Sequence, residues 1–246
     1  MYGLIGKKLG HSFSADFFNE KFSREGIDEC YKLFPLNNID ELPLLLSKYP
    51  DLKGLNVTIP YKQEVMKYLN AVSEDAKAIG AVNVIKITRN NNHIFLKGYN
   101  SDFIGFIDSL KPLLKPYMKN ALILGTGGAS KAVGYALNQL GIEVKFVSRK
   151  SGNNYITYDQ LDKDIIERNL LIVNTTPLGM SPDIESYPPI PYQYLSDRHL
   201  CYDLVYNPTE TEFLKKAKEK GAETKNGLEM LYGQAVGAWA IWSEPL

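Results

Sequence analysis

Two residues in this 246-residue chain have the type and setting to exchange a proton: Lys62, in the word NVTIPYK, and Asp102, in GYNSD. Pro60 fixes a turn after a strand and aims Lys62 from the first part of a helix, while Asn56 and Thr58 alternate on one face of the strand. A lysine so placed is a candidate proton donor, although a lysine at a helix start is otherwise simply solvated. GYNSD closes the second strand of a hairpin at a domain boundary, where ligands commonly lodge. Asp102 serves equally as a plain N-cap for the helix that begins FIGFIDSL, and the two roles are compatible. If Asp102 approaches Lys62, pairing favours the charged lysine and burial opposes it. Ser12 and Ser14 alternate across Phe13 in GHSFS, so in an extended segment both hydroxyls face one way and can hold a carboxylate near the following helix.

A different chemistry belongs to ALILGTGGASKAVGYAL, where Gly125, Gly127 and Gly128 follow a buried strand and precede a helix. Glycines there permit a tight turn and let the backbone approach a pyrophosphate at the helix N-terminus. Ser130 takes the sixth position of the usual glycine pattern, with Ala129 and Ala132 as its small neighbours. At the end of the next strand, an acidic residue would accept hydrogen bonds from the ribose hydroxyls of NAD. The chain has Ser148, Arg149 and Lys150 instead, donors and positive charge that suit the 2′-phosphate of NADP, unless they form only a solvated basic turn.

The elements that must position these groups are those of an α/β protein, in which short apolar runs exchange with amphipathic stretches. Strands are expected at Tyr2 to Ile5, Tyr31 to Phe34 and Gly54 to Val57, with helices near Ala15 to Arg24 (capped by Ser14), Asp40 to Lys48 and Lys62 to Leu69. VNVIKITRNNNHIFLKGYN reads as two strands around an Asn-rich turn. Beyond Asp102 come a helix broken by Pro112 and Pro116, the strand ALIL, a helix from Ser130 to Leu140, the strands GIEVKFVS, LLIVN and HLCYDLV, and a helix from Thr211 to Lys220. That is a doubly wound nucleotide-binding pattern. The closing segment GLEMLYGQAVGAWAIW is too apolar to stand exposed all round, and packing back on the first domain is one solution.

Composition excludes much else. Lys+Arg and Asp+Glu are equal at 28 each and the sequence pI is about 6.8, which argues against a general electrostatic grip on nucleic acid or an anionic membrane. No apolar run approaches a bilayer span, and the N-terminus lacks the apolar stretch of a secretory signal. Cys30 and Cys201 match no metal or redox spacing and read as buried thiols, and the three histidines are scattered, so no metal site is expected. The expectation is a reduced, cytoplasmic protein acting on a small molecule, with neither nucleic acid nor membrane as partner.

Nine words in order, GHSFS, NVTIPYK, GAVN, YNSD, GTGGAS, SRK, NTTPLGM, YDLVYNPTET and NGLEMLYGQA, together resemble the shikimate and quinate dehydrogenase family over nearly the whole chain. The resemblance implies reversible NADPH-dependent reduction of 3-dehydroshikimate to shikimate, in aromatic amino acid biosynthesis. It implies two α/β domains: residues 1–102, substrate-binding and catalytic, completed by a C-terminal helix over 227–246, and a Rossmann-type NADP domain over 103–226. Lys62 and Asp102 would be the catalytic pair, and Ser12 and Ser14 would bind the substrate carboxylate. Asn56, Thr58, Asn83 and Gln234 would surround the ring hydroxyls, and Tyr206 would line the cleft. Gly125, Thr126, Gly127, Gly128 and Ala129 would hold the pyrophosphate, Ser148, Arg149 and Lys150 the adenosine phosphate, Thr175 the ribose region and Gly227 the nicotinamide amide.

The chain departs from the family pattern in places. Lys7 and Lys8 stand for the usual Asn-Pro, Ala15 for a proline, Phe18 for a histidine, Ser101 for a threonine and Ser148 for an asparagine. The lysine pair would loosen the entrance loop or alter substrate preference. A paralogue of broader, quinate-accepting specificity and a non-catalytic NADP or metabolite sensor are the alternatives, and the assembly expected is a monomer or homodimer.

Overall fold

The computed structural model describes residues 1–10, 12–90, 93–150, 152 and 155–244; His11 of GHSFS and Asn91 and Asn92 of the Asn-rich turn lie outside the described residues. The chain divides into two compact units, Met1–Ser101 with Gln234–Leu246, and Asp102–Gly233.

In the first unit the apolar runs become β1 (Tyr2–Gly6), α1 (Phe13–Glu25), β2 (Tyr31–Pro35), α2 (Leu42–Lys48), β3 (Gly54–Val57), β4 (Ala71–Val72), α3 (Glu74–Ile79), β5 (Val84–Asn90) and β6 (His93–Tyr99). The strand order is β2-β1-β3-β5-β6-β4. β1 is parallel to both its neighbours, and β5 and β6 form the expected antiparallel hairpin. Because successive side chains point to opposite faces, Ile5, Phe34, Leu55 and Val57 enter one core with Leu42 and Leu45 of α2. Tyr2, Leu4 and Tyr31 enter the other, with Phe18 and Phe22 of α1 and Ala235, Ala238 and Trp242 near the C-terminus. There Trp242 Nε1 donates to the Ile85 carbonyl at 3.0 Å, fastening the last turns of the chain to the sheet.

Two local expectations are corrected. α1 begins at Phe13, so Ser12 is the extended N-cap residue, its side chain makes no capping bond, and Ser14 lies inside the first helical turn rather than capping it or sharing an extended segment with Ser12. The aromatic spacing pulls the start back: Phe13 stacks on Phe17 one turn later, with centroids 5.6 Å apart. Lys62, expected on a helix, lies in a turn ahead of a 3-10 segment, Glu64–Tyr68. Tyr61 OH is anchored on the Leu36 carbonyl at 2.7 Å, and Asn70 already pairs with Leu96 of β6, leaving too short a run for an α-helix to propagate. β4 and α3 have no counterpart in the expected elements; α3 carries its own punctuation, since Ser73 accepts from Ala76 N at 3.3 Å and Gly80 ends it with φ 70°.

The second unit contains α4 (Asp102–Leu110), β7 (Asn120–Leu124), α5 (Gly128–Gln139), β8 (Glu143–Ser148), β9 (Tyr155–Thr157), α6 (Lys163–Arg168), β10 (Leu171–Asn174), β11 (Leu200–Asp203), α7 (Glu212–Lys218), β12 (Glu223–Lys225) and the start of α8 (Leu228–Ser243). Its strand order is β12-β11-β10-β7-β8-β9, with every pair parallel. This is the doubly wound arrangement, reversing between β7 and β10, where ligands bind beyond the carboxyl ends of the strands. Separate apolar clusters cover its two faces, one around Phe106, Ile123 and Tyr202 and the other around Leu122, Ile172 and Phe213.

Asp102 is the first residue of α4, not its N-cap, and belongs to the second unit. The later division falls inside α8, after Gly233, rather than at 227, because Met230 packs in the second unit's core. Cys201 is fully buried, whereas Cys30 is only half-buried.

Candidate functional site

In the first unit the site is built on one face of the sheet. Asn56 of β3 lies buried with its amide bonded on both sides: Oδ1 accepts from Tyr31 OH at 2.7 Å and Nδ2 donates to the Asn83 carbonyl at 3.3 Å. Asn83 is itself buried; its Oδ1 accepts from Ser101 N at 2.7 Å and its Nδ2 donates to Ser101 Oγ at 3.1 Å. The Ser14 side chain is in hydrogen-bonding range of the Tyr31 phenol, which burial holds well above its ordinary pKa. The structure thus brings together Ser14, Asn56 and Asn83, and joins them through Tyr31, which the sequence reading did not single out. Its only sequence signal is a tyrosine opening a buried strand, and the partners that define its role lie 17 and 25 positions away.

Lys62 is tied to the same region through its backbone, its carbonyl accepting from Val82 N at 2.7 Å, beside Asn83. Thr58 follows β3 on the Asn56 face, its N–H bonded to the Ile5 carbonyl at 2.9 Å. Ser12 is half-buried at the head of α1. Gln234, half-buried, is the residue at which α8 enters the first unit. Asp102 is buried at the start of α4, directly after Ser101.

In the second unit the glycine turn sits at the switch point. Gly125 has φ 114°, and a Cβ there would stand 2.7 Å from Thr175 Oγ1, so glycine is required by conformation and by space. Thr175 caps the end of β10, its hydroxyl donating to the Leu124 carbonyl at 2.7 Å and joining the two strands where the order reverses. Thr126 and Gly127 are exposed, a Cβ on Gly127 would meet nothing within 4 Å, and α5 begins at Gly128 with Ala129 in its first turn. Open backbone at a helix N-terminus fits a pyrophosphate. Ser148 ends β8 and accepts from Lys150 N at 3.3 Å, leaving Arg149 and Lys150 exposed beyond the strand. Burial pushes the Tyr158 phenol up and the Arg149 charge opposes the rise. These donors and charges fit a phosphorylated adenosine. Gly227 has a separate reason to be glycine, since a Cβ there would overlap the Leu204 carbonyl. Tyr206 is partly exposed in the loop after β11.

A second buried polar centre went unread in the word YDLVYNPTET. Asp203, fully buried at the end of β11, accepts from Asn174 Nδ2 at 2.9 Å, from Val205 N at 3.0 Å and from Thr211 Oγ1 at 2.6 Å. Burial, partly offset by these donors, pushes its carboxyl up to about 6. Asn174 in turn accepts from Thr176 N and Oγ1, at 3.0 and 2.7 Å. The pair pins the two loops that leave neighbouring strands at the switch-point edge. Among the described residues no group of His, Cys, Asp and Glu could hold a metal ion, and no helix is long and apolar enough to cross a membrane.

Residues 4–85 match the family model described as the shikimate dehydrogenase substrate binding domain. The chain is 40% identical to the shikimate dehydrogenase (NADP(+)) of Clostridium beijerinckii, across 99% of this chain and 92% of that one. Among solved structures it is similar to the shikimate 5-dehydrogenase of Thermus thermophilus in complex with NADP(H) and shikimate, with 30% identity, a TM-score of 0.86 and coverage of 100% and 94%. It is also similar to the quinate dehydrogenase of Corynebacterium glutamicum in complex with NAD, at 28% identity and a TM-score of 0.86, covering 98% and 93%. The identity to the C. beijerinckii protein, sustained over nearly the full length of both chains, places this chain in the shikimate dehydrogenase family.

Proposed function

We propose that this chain is an NADP-dependent oxidoreductase that interconverts shikimate and 3-dehydroshikimate, with the first unit, completed by the end of α8, as its substrate unit and the second as its cofactor unit. The observation that carries the reading is the buried polar cluster of the first unit, in which Asn56 is bonded to Tyr31 and to the Asn83 carbonyl, with Ser14 beside the Tyr31 phenol, in a chain of this family. A small polyhydroxylated carboxylic acid is the ligand such a cluster suits, because buried donors and acceptors discriminate strongly in favour of matching hydroxyls.

When bound, the nicotinamide of NADP(H) supplies or accepts the hydride. Gly125 to Ala129 would hold its pyrophosphate, Ser148, Arg149 and Lys150 its 2′-phosphate, Thr175 the ribose region and Gly227 the nicotinamide amide. Lys62 holds the proton at Nζ: it gives that proton to the substrate oxygen in reduction and takes it back in oxidation. Asp102 orients the hydroxyl and the lysine. Ser12 and Ser14 receive the carboxylate, Asn56, Thr58, Asn83 and Gln234 the ring hydroxyls, and Tyr206 contributes to substrate binding. The enzyme works in the cytoplasm as a monomer or homodimer.

A broader specificity that includes quinate draws support from the likeness to the C. glutamicum protein. The test is nicotinamide absorbance with purified protein, crossing shikimate and quinate with NADP+ and NAD+. Fast reduction with shikimate and NADP+ alone is expected. Comparable rates with quinate or NAD+ would move the chain to the broader reading, and binding without turnover in all four combinations would make it a sensor.

A further inference from the structure

Within the polar cluster, the direction of every hydrogen bond follows from one fixed point. The Asn83 carbonyl can only accept, so the Asn56 group facing it at 3.3 Å is the amide nitrogen. Asn56 Oδ1 therefore faces Tyr31, and the phenol, 2.7 Å away, has to be the donor. With its single proton committed, Tyr31 can only accept from Ser14. The sequence of donation is Ser14 to Tyr31 to Asn56 to the Asn83 carbonyl. The accept-only Asn83 carbonyl forbids exchanging the ends of the Asn56 amide, and the phenol, kept neutral by burial, supplies the proton that the amide oxygen accepts.

The phenol is itself held on all sides. Tyr31 N donates to Asn19 Oδ1 at 2.9 Å and Asn19 Nδ2 returns a bond to the Tyr31 carbonyl at 3.1 Å, which sets the start of β2. Its ring stacks on Phe18, centroids 4.9 Å apart and planes 13° apart. Phe18 stands where the family pattern has a histidine, so this chain fixes the ring with an apolar face. From β2 the side chain passes over β1 to reach Asn56 on β3, as the register of the three strands allows.

We infer that Tyr31 is a positioning residue for substrate recognition: its hydroxyl, donating to Asn56 Oδ1, holds the amide in the orientation that the Asn83 carbonyl sets, so that the second amide hydrogen and the second oxygen lone pair meet the ring hydroxyls of the substrate in one fixed geometry. This rests on the reading of the first unit as the substrate unit. Discrimination for hydroxyls then depends on a residue that touches no substrate. Carboxylate binding does not depend on it in the same way, since the single Ser14 proton turns to a bound carboxylate whether or not the phenol is present.

The test is Tyr31→Phe, which keeps the stacked ring and removes only the hydroxyl, assayed beside the wild type for shikimate and NADP+ kinetics and for binding of cyclohex-1-ene-1-carboxylate, which has the carboxylate and no ring hydroxyls. A rise of about tenfold in the KM for shikimate is expected, the size of one hydrogen bond. The KM for NADP+ and the affinity for the hydroxyl-free acid should stay within about twofold. Adding Tyr31→Phe to Asn56→Ser should cost nothing beyond Asn56→Ser alone, because the tyrosine acts through that amide. An active wild type with an unaffected Tyr31→Phe variant overturns this inference alone. So does an equal loss for shikimate and for the hydroxyl-free acid, or a variant unfolded at the assay temperature, either of which would make Tyr31 a packing residue. A wild type that neither binds nor turns over shikimate overturns the reading of function and this inference together.

Discussion

Each unit has a buried polar centre that ties residues from different strands of its sheet, and the two centres are made of opposite chemistry. In the first unit the centre is a phenol, Tyr31, pushed to stay neutral. In the second it is a carboxyl, Asp203, pushed up to about 6 and surrounded by three donors. Their surroundings differ in kind as well. Around Tyr31 the candidate ligand groups are side-chain amides and hydroxyls, whereas elsewhere in the second unit they are open backbone and exposed cations. Buried side-chain groups select a ligand by which hydroxyls it carries, and backbone with surface charge grips phosphate with less regard to detail. On the proposed reading the first unit selects the substrate by its hydroxyls and the second grips the cofactor by its phosphates.

The comparison breaks most visibly at Lys62. If the first unit carries the proton chemistry, Lys62→Ala lowers kcat by roughly 100- to 10,000-fold while the KM values for shikimate and NADP+ move little. A variant with unchanged kcat would leave the first unit as a binding surface only, and steady-state rates settle the point.

The next effect lies in stability. The Asp203 carboxyl is raised in the folded state above its ordinary 3.8, so its contribution to stability is full below about pH 3.8 and is lost as the pH rises through about 6. A shift of this size corresponds to roughly 3 kcal/mol. Melting curves of the wild type and Asp203→Asn should therefore draw apart with pH, the wild type being relatively better off at pH 4 than at pH 7. Parallel curves would show that its three donors fully offset the burial, making the carboxylate centre as indifferent to pH as the phenol. No such slope is expected for Tyr31→Phe below pH 8.

Gly125→Ala sharpens the contrast from the cofactor side. It places a Cβ at φ 114° and within 2.7 Å of Thr175 Oγ1, a strain of about 1 to 3 kcal/mol. NADP affinity, read by quenching of protein fluorescence, should fall at least tenfold, with shikimate affinity unmoved. Smaller still is Arg149→Ala, which should raise the KM for NADP+ about tenfold and leave that for NAD+ nearly unchanged. Equal changes for both cofactors would show that Arg149 does not read the 2′-phosphate.

The same contrast explains what can be read in the sequence. A backbone turn that needs φ > 0 writes itself as glycine, so Gly125 and the strand and helix around it are legible, as is the parallel order built on the apolar runs ALIL and LLIVN. The three-residue strands β9 and β12 are not, being too short for a periodicity to show. Ser14 and Asn56 can be named one at a time, but their connection through Tyr31 depends on strand register, which no local word records. Asp203 escapes for a related reason: an acidic residue in an apolar strand is conspicuous, yet its partners Asn174 and Thr211 are found only when β10 and β11 lie side by side. The neighbours of Lys62 favour a helix, and the pairing of Asn70 with the adjacent strand overrules them.

The bond from Trp242 to the Ile85 carbonyl also has a meaning in time. The sheet made first on the ribosome is finished last, because Ala238 and Trp242, which cover Tyr2, Phe18 and Tyr31, emerge only after the whole segment Asp102–Gly233. At ordinary rates of synthesis the aromatic face waits on the order of ten seconds for its cover. The second unit can complete its own core during that interval, and the aromatic face of the first unit is the apolar surface left open through it.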